Sequence, residues 1–478
     1  MRITFASQMK NYINQTLAFT ALLIILLTGV SLLPKGSTLF MLQLREMDIF
    51  SEIRVIKPST TPLQDLKTPP RDTFENVSNA QTPNIYTENS PFPAIDPAFF
   101  GNIIEDYSVE KKGLDSFFFA IDGIKKGRTV RVAWYGDSFV EGDVLIGDLR
   151  DTLQTRWGGR GVGFVPITSE VAQFRRTIRQ QFSHWNTYSI VKKSLVHPKL
   201  GLNGYAYQPQ EGASLTYEGT RYFRNTHSWT NARLFYTASA PCNFDWHLDD
   251  QMVQNDQLTP KNNQVNLWRW DGKYPGCKYL NLRFNAENDL TIYGTALESG
   301  PGFYLDNFSI RGNSGGQLKL LNTDFIQQFN KFQQYDLIVL QVGLNAVTNS
   351  LDNIQWYEDE LEGTLKHLRD CFPHQPILII SVGDRGGKNG TELVTMPSAP
   401  AIVAMQRTVA MRHGFLFFDL FHGMGGEGTM VRFAMQNPRL ANTDYTHLTH
   451  EGGQVVGLKL AAILLEEQQK WASNKSSR

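Results

Sequence analysis

Hydrophobic positions in two separate parts of the chain follow the pattern of an α/β protein. Apolar runs typical of strands buried on both faces occur at 129–135 (TVRVAWY), 336–342 (DLIVLQV), 376–382 (PILIISV) and 415–419 (FLFFD). Between these runs apolar residues recur at helical spacing, as at Leu145, Leu149, Leu153 and Trp157. Thr449 is a plausible N-cap of a last helix that runs to about Gln468. Alternating strands and helices predict a parallel sheet with helices on both faces.

The pattern changes between these two parts of the chain. Short segments of alternating polarity, such as SLTYEGTRYF, NARLFYTA and YLNLRFNA, are bounded by Gly, Asn, Asp and Pro. This spacing is typical of an antiparallel β sandwich or jelly roll. We therefore predict a β domain at 171–305 inserted into an α/β domain whose two halves are 96–170 and 306–478.

The N-terminal region predicts where the protein is located. Residues 11–34 carry no charge, and 17–33 (LAFTALLIILLTGVSLL) are almost wholly apolar, which is long enough to span a bilayer. Arg2 and Lys10 precede this stretch, so its N-terminal side is expected in the cytoplasm. We predict an uncleaved anchor in the inner membrane at 1–34 and a Pro- and Thr-rich tether at 35–95, with the rest of the chain in the periplasm. A cleaved signal peptide is the alternative.

Composition excludes several classes of protein. The 478 residues contain 46 Lys+Arg and 46 Asp+Glu, and the zero net charge argues against a nucleic-acid partner. Three cysteines are too few for a disulfide scaffold. The chain has no CxxC pair, so a structural zinc site of the usual spacing is not expected. Cys242 and Cys277 either form a disulfide in an oxidising periplasm or remain buried thiols, whereas Cys371 has no obvious partner.

Two short segments carry candidate chemistry. Ser138 follows the first buried strand and precedes a helix, at the edge where parallel sheets present ligands. Asp444 and His447 lie three residues apart near the C-terminus, so one loop can deliver both. A serine nucleophile requires a base, and a histidine oriented by a carboxylate supplies one. Ser138, Asp444 and His447 are therefore the candidate catalytic residues, with Asp419 as a rival orienting acid.

These segments resemble the SGNH, or GDSL-type, hydrolases. VAWYGDSFVEGD is similar to the first block of that family, QVGLNA to its Gly-x-Asn block, and DYTHLTHEGG to its last block. The resemblance implies a three-layer, flavodoxin-like α/β fold in which Ser138 is the nucleophile, His447 the base and Asp444 its partner. It also implies an oxyanion hole formed by the Ser138 N–H, the Asn345 amide and a glycine N–H. Gly312 is the best match for that glycine, and Gly315 and Gly161 are the alternatives.

A narrower resemblance is to bacterial peptidoglycan O-acetylesterases, which carry an inserted domain like a carbohydrate-binding module. It implies a serine esterase that removes acetyl groups from a periplasmic glycan, with acetylated peptidoglycan as partner and no metal or organic cofactor. An O-acetyltransferase of the same fold and a non-catalytic glycan-binding scaffold are the alternatives. Four tryptophans of the insert either stack on sugars or fill its core; they are Trp229, Trp246, Trp268 and Trp270.

Overall fold

The computed structural model describes residues 38–39, 42–43, 103–192, 198–261, 264–272 and 276–476. The chain divides into two units, Met1–Glu88 and Asn89–Arg478. In the first unit the described residues form two short antiparallel strands, β1 (Thr38–Leu39) and β2 (Leu42–Gln43). The predicted anchor and all but these four residues of the predicted tether lie outside the described residues. Among the helices that are described, none combines the length and apolar character needed to cross a bilayer.

The second unit contains the predicted parallel sheet. Five parallel strands and one antiparallel edge strand lie in the order β14 (Gly302–Ser309), β4 (Thr129–Gly136), β15 (Leu337–Gln341), β16 (Ile377–Ile380), β19 (Leu416–Phe418) and β3 (Glu105–Asp106). The parallel strands thus follow the order 2-1-3-4-5, in which ligands bind where the strand order reverses. That point is the edge formed by the carboxyl ends of β4, β14 and β15.

Helices cover both faces of the sheet, which confirms the predicted layered α/β fold. They are α1 (Asp115–Gly123), α2 (Ile146–Trp157), α3 (Thr323–Gln333), α4 (Ile354–Cys371), α5 (Ser398–His413), α6 (Leu420–Met424), α7 (Thr429–Met435) and α8 (His450–Ser476). Along β4, Ala133 and Tyr135 pack in one core cluster with α3, α4 and α5. Val132 and Trp134 pack in the other with α1, α2 and α8. This two-sided burial explains why the strand sequence is continuously apolar.

The insert forms the predicted antiparallel β domain. Its strands are β5 (Gly163–Val165), β6 (Ile178–Ser189), β7 (Tyr205–Gly219), β8 (Asn231–Thr237), β9 (Cys242–Leu248), β10 (Gln254–Leu258), β11 (Asn266–Asp271), β12 (Tyr279–Phe284) and β13 (Thr291–Glu298). Hydrogen bonding joins all nine into one sheet, not the two separate sheets expected of a sandwich. The 15-residue β7 links the two groups of strands, because one part of it pairs with β12 and another part pairs with β13 at Tyr207 and Ile292. A remaining hairpin, β17 (Gly386–Asn389) and β18 (Glu392–Thr395), belongs to the α/β domain.

The structure moves both predicted domain boundaries: one falls after the β sheet has already begun, and the other falls inside a strand. β5 already pairs with β13, so the chain enters the β sheet before residue 171. At the other end β14 pairs in parallel with β4 along its whole length, so the boundary at 305–306 cuts a strand of the α/β domain. The alternation of polarity does not reveal which sheet a strand joins, because pairing partners are set by tertiary structure.

Cys242 and Cys277 are free, buried thiols, so the disulfide alternative is wrong for this structure. β9 and β12 are antiparallel with Leu248 opposite Leu280 and Phe244 opposite Phe284. Cys242 begins β9 beside the end of β12, whereas Cys277 precedes the start of β12. The two thiols therefore lie at opposite ends of the strand pair.

Candidate active site

The nucleophile candidate lies directly after β4. Ser138 begins a short 3-10 segment, Ser138–Asp143, that leads into α2. Gly136 lies two residues before Ser138, and only glycine fits there. A Cβ at this position would lie 2.2 Å from a methyl group of Val140. This tight turn leaves Ser138 partly exposed at the carboxyl edge of the sheet.

The other two candidates occupy the loop before α8. The Nε2 atom of His447 is 2.8 Å from the Ser138 Oγ, and its Nδ1 atom is 2.7 Å from an oxygen of Asp444. The other Asp444 oxygen accepts the backbone N–H groups of Thr446 and His447 at 2.9 and 3.0 Å. Burial acts to raise the pKa of Asp444, but these hydrogen bonds lower it below the usual value. The arrangement has the geometry of a nucleophile, base and orienting acid.

The rival acid is engaged elsewhere. Asp419 caps α6 by accepting the His422 N–H at 2.9 Å, and it also binds the His422 ring and the Arg407 guanidinium. Thr449 caps α8 as predicted, because its Oγ1 accepts the Gly452 N–H at 3.1 Å.

Three backbone and side-chain donors are available for an oxyanion. The described residues provide no acceptor for the backbone N–H of Ser138 or of Gly312. The Asn345 amide donates one hydrogen to the Asn313 carbonyl at 3.2 Å, and its second hydrogen remains for a ligand. This contact brings the segment of Gly312 next to Asn345.

The two alternative glycines already donate their N–H groups within the protein. Gly161 donates to the Asn225 carbonyl at 2.7 Å, and Gly315 donates to the Asn313 side chain at 2.8 Å. The Gly312 N–H is the one of the three that can serve an oxyanion. We retain Gly312 as the prediction.

Asp137 joins the nucleophile segment to the segment that carries Asn345. Its two carboxylate oxygens accept the Phe139 N–H and the Leu344 N–H, each at 3.0 Å. Burial raises the pKa of Asp137 to about 6, although both hydrogen bonds oppose the shift. The carboxylate thereby fixes the backbone near Ser138 relative to the backbone near Asn345.

Arg385 is a positioning residue that the sequence did not reveal. Its guanidinium donates to the carbonyls of Leu344 and Val347, both at 2.9 Å. The next residue, Gly386, donates its N–H to the Tyr445 carbonyl at 2.8 Å. Arg385 and the first residue of β17 therefore connect the loop of Asn345 to the loop of His447. The GDRGGKNG sequence at 383–390 predicts a flexible rim loop, but these residues begin an ordered hairpin, because β18 pairs with β17.

A cleft of about 640 Å³ lies beside the nucleophile segment, between the two domains. The α/β domain contributes Glu141 and Arg311, and the β domain contributes His184, Trp185 and Tyr205. A bulge in β6 puts His184 at φ +60°, and bulges of this kind redirect neighbouring side chains. The charged side chains of the walls form opposite pairs, namely Arg311 with Glu141, Arg175 with Asp143 and Lys192 with Glu170.

The four tryptophans identified from the sequence lie in the core of the β domain. Trp229 and Trp268 are buried, and Trp246 and Trp270 pack against the same cluster. Trp185 is half-buried and packs against the same cluster, and unlike the other four it also lines the cleft. The sequence signal for Trp185 was weak, since the residue lies in a bulge that interrupts alternation. Within the described residues no group of three or more His, Cys, Asp or Glu side chains can hold a metal ion.

Comparisons with known proteins agree with this geometry. Residues 277–455 match the model of the GDSL-like lipase/acylhydrolase family, a range that includes Gly312, Asn345, Asp444 and His447 but not Ser138. The chain is also similar to a structure of a peptidoglycan O-acetylesterase, with 20% identity, a TM-score of 0.62, and coverage of 77% of this chain and 99% of the other. None of the curated proteins compared with the chain matches it significantly.

Two further structures match with much lower scores. A family two carbohydrate esterase from Clostridium thermocellum in complex with cellohexaose has 11% identity, a TM-score of 0.25, and coverage of 56% and 96%. A salicylyl-acyltransferase from a tetracycline biosynthetic pathway has 14% identity, a TM-score of 0.24, and coverage of 61% and 98%. Neither supports an argument about this chain. Residues 277–455 thus match the GDSL-like lipase/acylhydrolase family, and the arrangement of Ser138, His447 and Asp444 is that of a serine esterase.

Proposed function

We propose that this esterase removes O-acetyl groups from a glycan of the cell envelope, namely peptidoglycan. The observation that carries the proposal is the hydrogen-bonded series Ser138, His447 and Asp444, which lies beside a cleft formed by both domains. The fold shared with a peptidoglycan O-acetylesterase supports the substrate class.

The mechanism follows from the hydrogen bonds. Ser138 Oγ attacks the acetyl carbonyl while His447 Nε2 takes its proton, and Asp444 stabilises the charged ring. The Ser138 N–H, the Gly312 N–H and the Asn345 amide hold the oxyanion. The bond to the sugar oxygen then breaks, and His447 returns the proton to that oxygen. His447 then deprotonates a water molecule that attacks the acetyl-enzyme, and it returns that proton to Ser138 Oγ as acetate is released.

The cleft suits a sugar with no charge near the ester. The cations and anions of its walls form opposite pairs, so the walls have no excess charge that would require an ionic substrate. Trp185 offers an aromatic surface, and its indole N–H is held by the Ser214 carbonyl at 2.8 Å. Binding sites of this kind combine apolar surface with a few fixed polar groups.

We further propose that residues 11–34 anchor the protein in the inner membrane, with the catalytic domain in the periplasm. The charge-free stretch and the preceding cations support this orientation. Cell fractionation tests it: the full chain should sediment with inner membranes, and a chain lacking residues 1–34 should not. Recovery of the full chain in the soluble fraction would instead favour a cleaved signal peptide.

The decisive experiment measures acetate release from O-acetylated peptidoglycan by the full chain and by Ser138→Ala. We expect the substitution to reduce kcat by roughly 10⁴-fold or more. Ser350→Ala, at an exposed serine of a surface loop, is the matched control and should retain activity. Chemically de-O-acetylated peptidoglycan should release no acetate.

Other outcomes identify the alternatives. Acetylated glycan formed from an acetyl donor, with little free acetate, would show an O-acetyltransferase. Equal activity of the parent and Ser138→Ala would overturn the catalytic assignment. Glycan binding without any turnover of esters would show a scaffold.

A further inference from the structure

Two of the proposed oxyanion donors, the N–H groups of Ser138 and Gly312, lie on neighbouring segments that leave the parallel sheet together. β4 and β14 pair up to Gly136 and Ser309, and the Ile310 N–H then donates to the Gly136 carbonyl at 3.0 Å. Within the described residues, no backbone hydrogen bond joins the two segments beyond that point. Other contacts must therefore hold the two N–H groups relative to each other.

The side chain of Asn307 joins these two segments. Asn307 lies on β14, and its amide donates to the Val140 carbonyl and to a carboxylate oxygen of Asp143, both at 2.8 Å. Val140 and Asp143 belong to the same short 3-10 segment as Ser138. Asn307 therefore connects the strand that leads to Gly312 with the segment that begins at Ser138.

The partners of the Asn307 amide fix its orientation. Its Oδ1 atom accepts the Ser309 N–H at 3.0 Å, while its NH₂ group faces two acceptors. A rotated amide would place its oxygen against the Val140 carbonyl and the Asp143 carboxylate, so one orientation is strongly favoured. Although Asn307 lines the cleft, both of its amide hydrogens are used within the protein.

Asp143, the charged acceptor of this amide, is itself held firmly. Its carboxylate accepts hydrogen bonds from Arg150 at 2.9 Å, from Arg175 at 2.8 Å and from Thr177 at 2.6 Å. Burial acts to raise the pKa of Asp143, but the two arginines hold it below the usual value, so the group stays ionised. Asp143 also has φ +60°, a backbone conformation that persists in a non-glycine residue only where its surroundings enforce it.

A second contact joins the same two segments nearer the surface. Arg311 forms an ion pair with Glu141, and the arginine side chain is 55% exposed. Exposed ion pairs contribute little, because solvent screens them and long side chains lose freedom. The Asn307 amide is held by one charged and two backbone partners, so it is the more rigid of the two links.

We propose that Asn307 is a positioning residue, which holds the Ser138 N–H and the Gly312 N–H in the relative geometry that an oxyanion requires. The inference rests on the proposed function, because it requires that Ser138 attacks an ester. Oxyanion donors stabilise the transition state only where they are already in place, and a displacement of about 1 Å can cost roughly 100-fold in rate. Loss of the amide should therefore lower kcat and leave KM nearly unchanged.

The test compares the full chain with Asn307→Ala in the hydrolysis of 4-nitrophenyl acetate and in inhibition by phenylboronic acid. We expect kcat to fall by about 10–100-fold, with KM within about twofold of the parent value. Phenylboronic acid forms a tetrahedral adduct with a nucleophilic serine, so its affinity should fall in parallel with kcat. Asn307→Asp retains the shape but presents an oxygen to both acceptors, so its kcat should fall at least as far.

A matched control removes a buried amide that lies outside the site. The amide of Asn281 on β12 donates to the Leu215 carbonyl at 3.4 Å and to Thr216 Oγ1 at 2.8 Å. Asn281→Ala should lower the Tm and keep the kcat and the boronic acid affinity of the parent. Thermal melting verifies that each variant folds, and the assays are run well below the Tm of every variant.

The possible failures can be told apart. Parent-like kcat in Asn307→Ala would overturn this inference and leave the esterase assignment intact, whereas equal activity of the parent and Ser138→Ala would overturn the proposed function. A raised KM with unchanged kcat would mean that Asn307 binds the substrate. An equal loss of kcat in Asn281→Ala would mean that any weakening of the fold reduces activity. Either of these two results would also overturn the positioning role.

Discussion

At the scale of single residues, the site depends on a few groups that do not themselves react. Asp137 and Arg385 bind the backbone near Asn345, and Asp444 orients His447. The reactive atoms belong to loops, and these contacts hold the loops in place. Preorganised donors cost no rearrangement during the reaction, which is why such positioning matters for catalysis.

Asn345→Ala should lower kcat by about 10²–10³-fold with little change in KM, because an oxyanion donor acts mainly in the transition state. Steady-state hydrolysis of a small acetyl ester measures both parameters. Asn349→Ala, at an exposed asparagine four residues further on, is the control. A higher KM with unchanged kcat would mean that Asn345 binds the ground state instead.

Asp137 should make stability depend on pH. The pKa of Asp137 is about 6 in the folded protein and about 3.8 when the group is exposed. The folded protein therefore keeps this proton up to a higher pH than the unfolded chain does. Stability therefore falls as pH rises from about 4 to 6, by up to about 3 kcal/mol from this group. Asp137→Asn removes the titration and should reduce that fall.

Urea unfolding at pH 4 to 7 measures the effect as the difference between parent and variant. The exposed Asp250→Asn is the control and should keep the slope of the parent. Parallel pH profiles of the parent and Asp137→Asn would contradict the raised pKa.

At the scale of elements, a buried ionic cluster connects the two sheets. Glu298, at the end of β13, accepts hydrogen bonds from Arg131 of β4 at 2.6 Å and from Arg233 of β8 at 2.9 Å. Burial raises the pKa of Glu298, but the two arginines dominate and hold it at about 2. The cluster fixes the β domain to the strand that delivers Ser138.

Glu298→Gln should destabilise the protein by about 3–5 kcal/mol, because it leaves two buried guanidinium groups without a counter-charge. Chemical unfolding at pH 7 measures this loss. Glu218→Gln breaks the exposed pair with Arg179, 3.2 Å apart, and should cost at most about 1 kcal/mol. Equal losses would show that the buried cluster has no special role.

At the scale of the whole molecule, the β domain forms a wall of the cleft and so belongs to the proposed active site. Trp185→Ala should reduce turnover of acetylated peptidoglycan by about tenfold through KM, as expected for the loss of one aromatic contact. Hydrolysis of a small ester should change by less than about twofold, because that substrate does not reach the ring.

Trp356→Ala provides the comparison, since Trp356 is 54% exposed on α4 and does not line the cleft. Acetate release from the polymer and the small ester, measured in parallel, separates the two effects. Equal losses on both substrates would place Trp185 in structural support instead of substrate binding.

Much of this organisation could be predicted because it is local. Continuous apolar runs predicted four strands of the parallel sheet, and the Thr449 cap predicted the start of α8 within one residue. The candidate triad also followed from sequence, since Asp444 and His447 share one loop. The strand β14 was missed because its sequence resembles the strands of the insert that precedes it.

The sequence by itself determined the layered α/β class, the presence of an antiparallel insert and the candidate triad, because periodicity and short spacing act within a few residues. Tertiary structure alone decided which glycine N–H stays available, where the two thiols lie and which tryptophan lines the cleft. Each of these depends on the register between segments far apart in the chain. Register is set by how whole sheets pack, and no local pattern of residues encodes it.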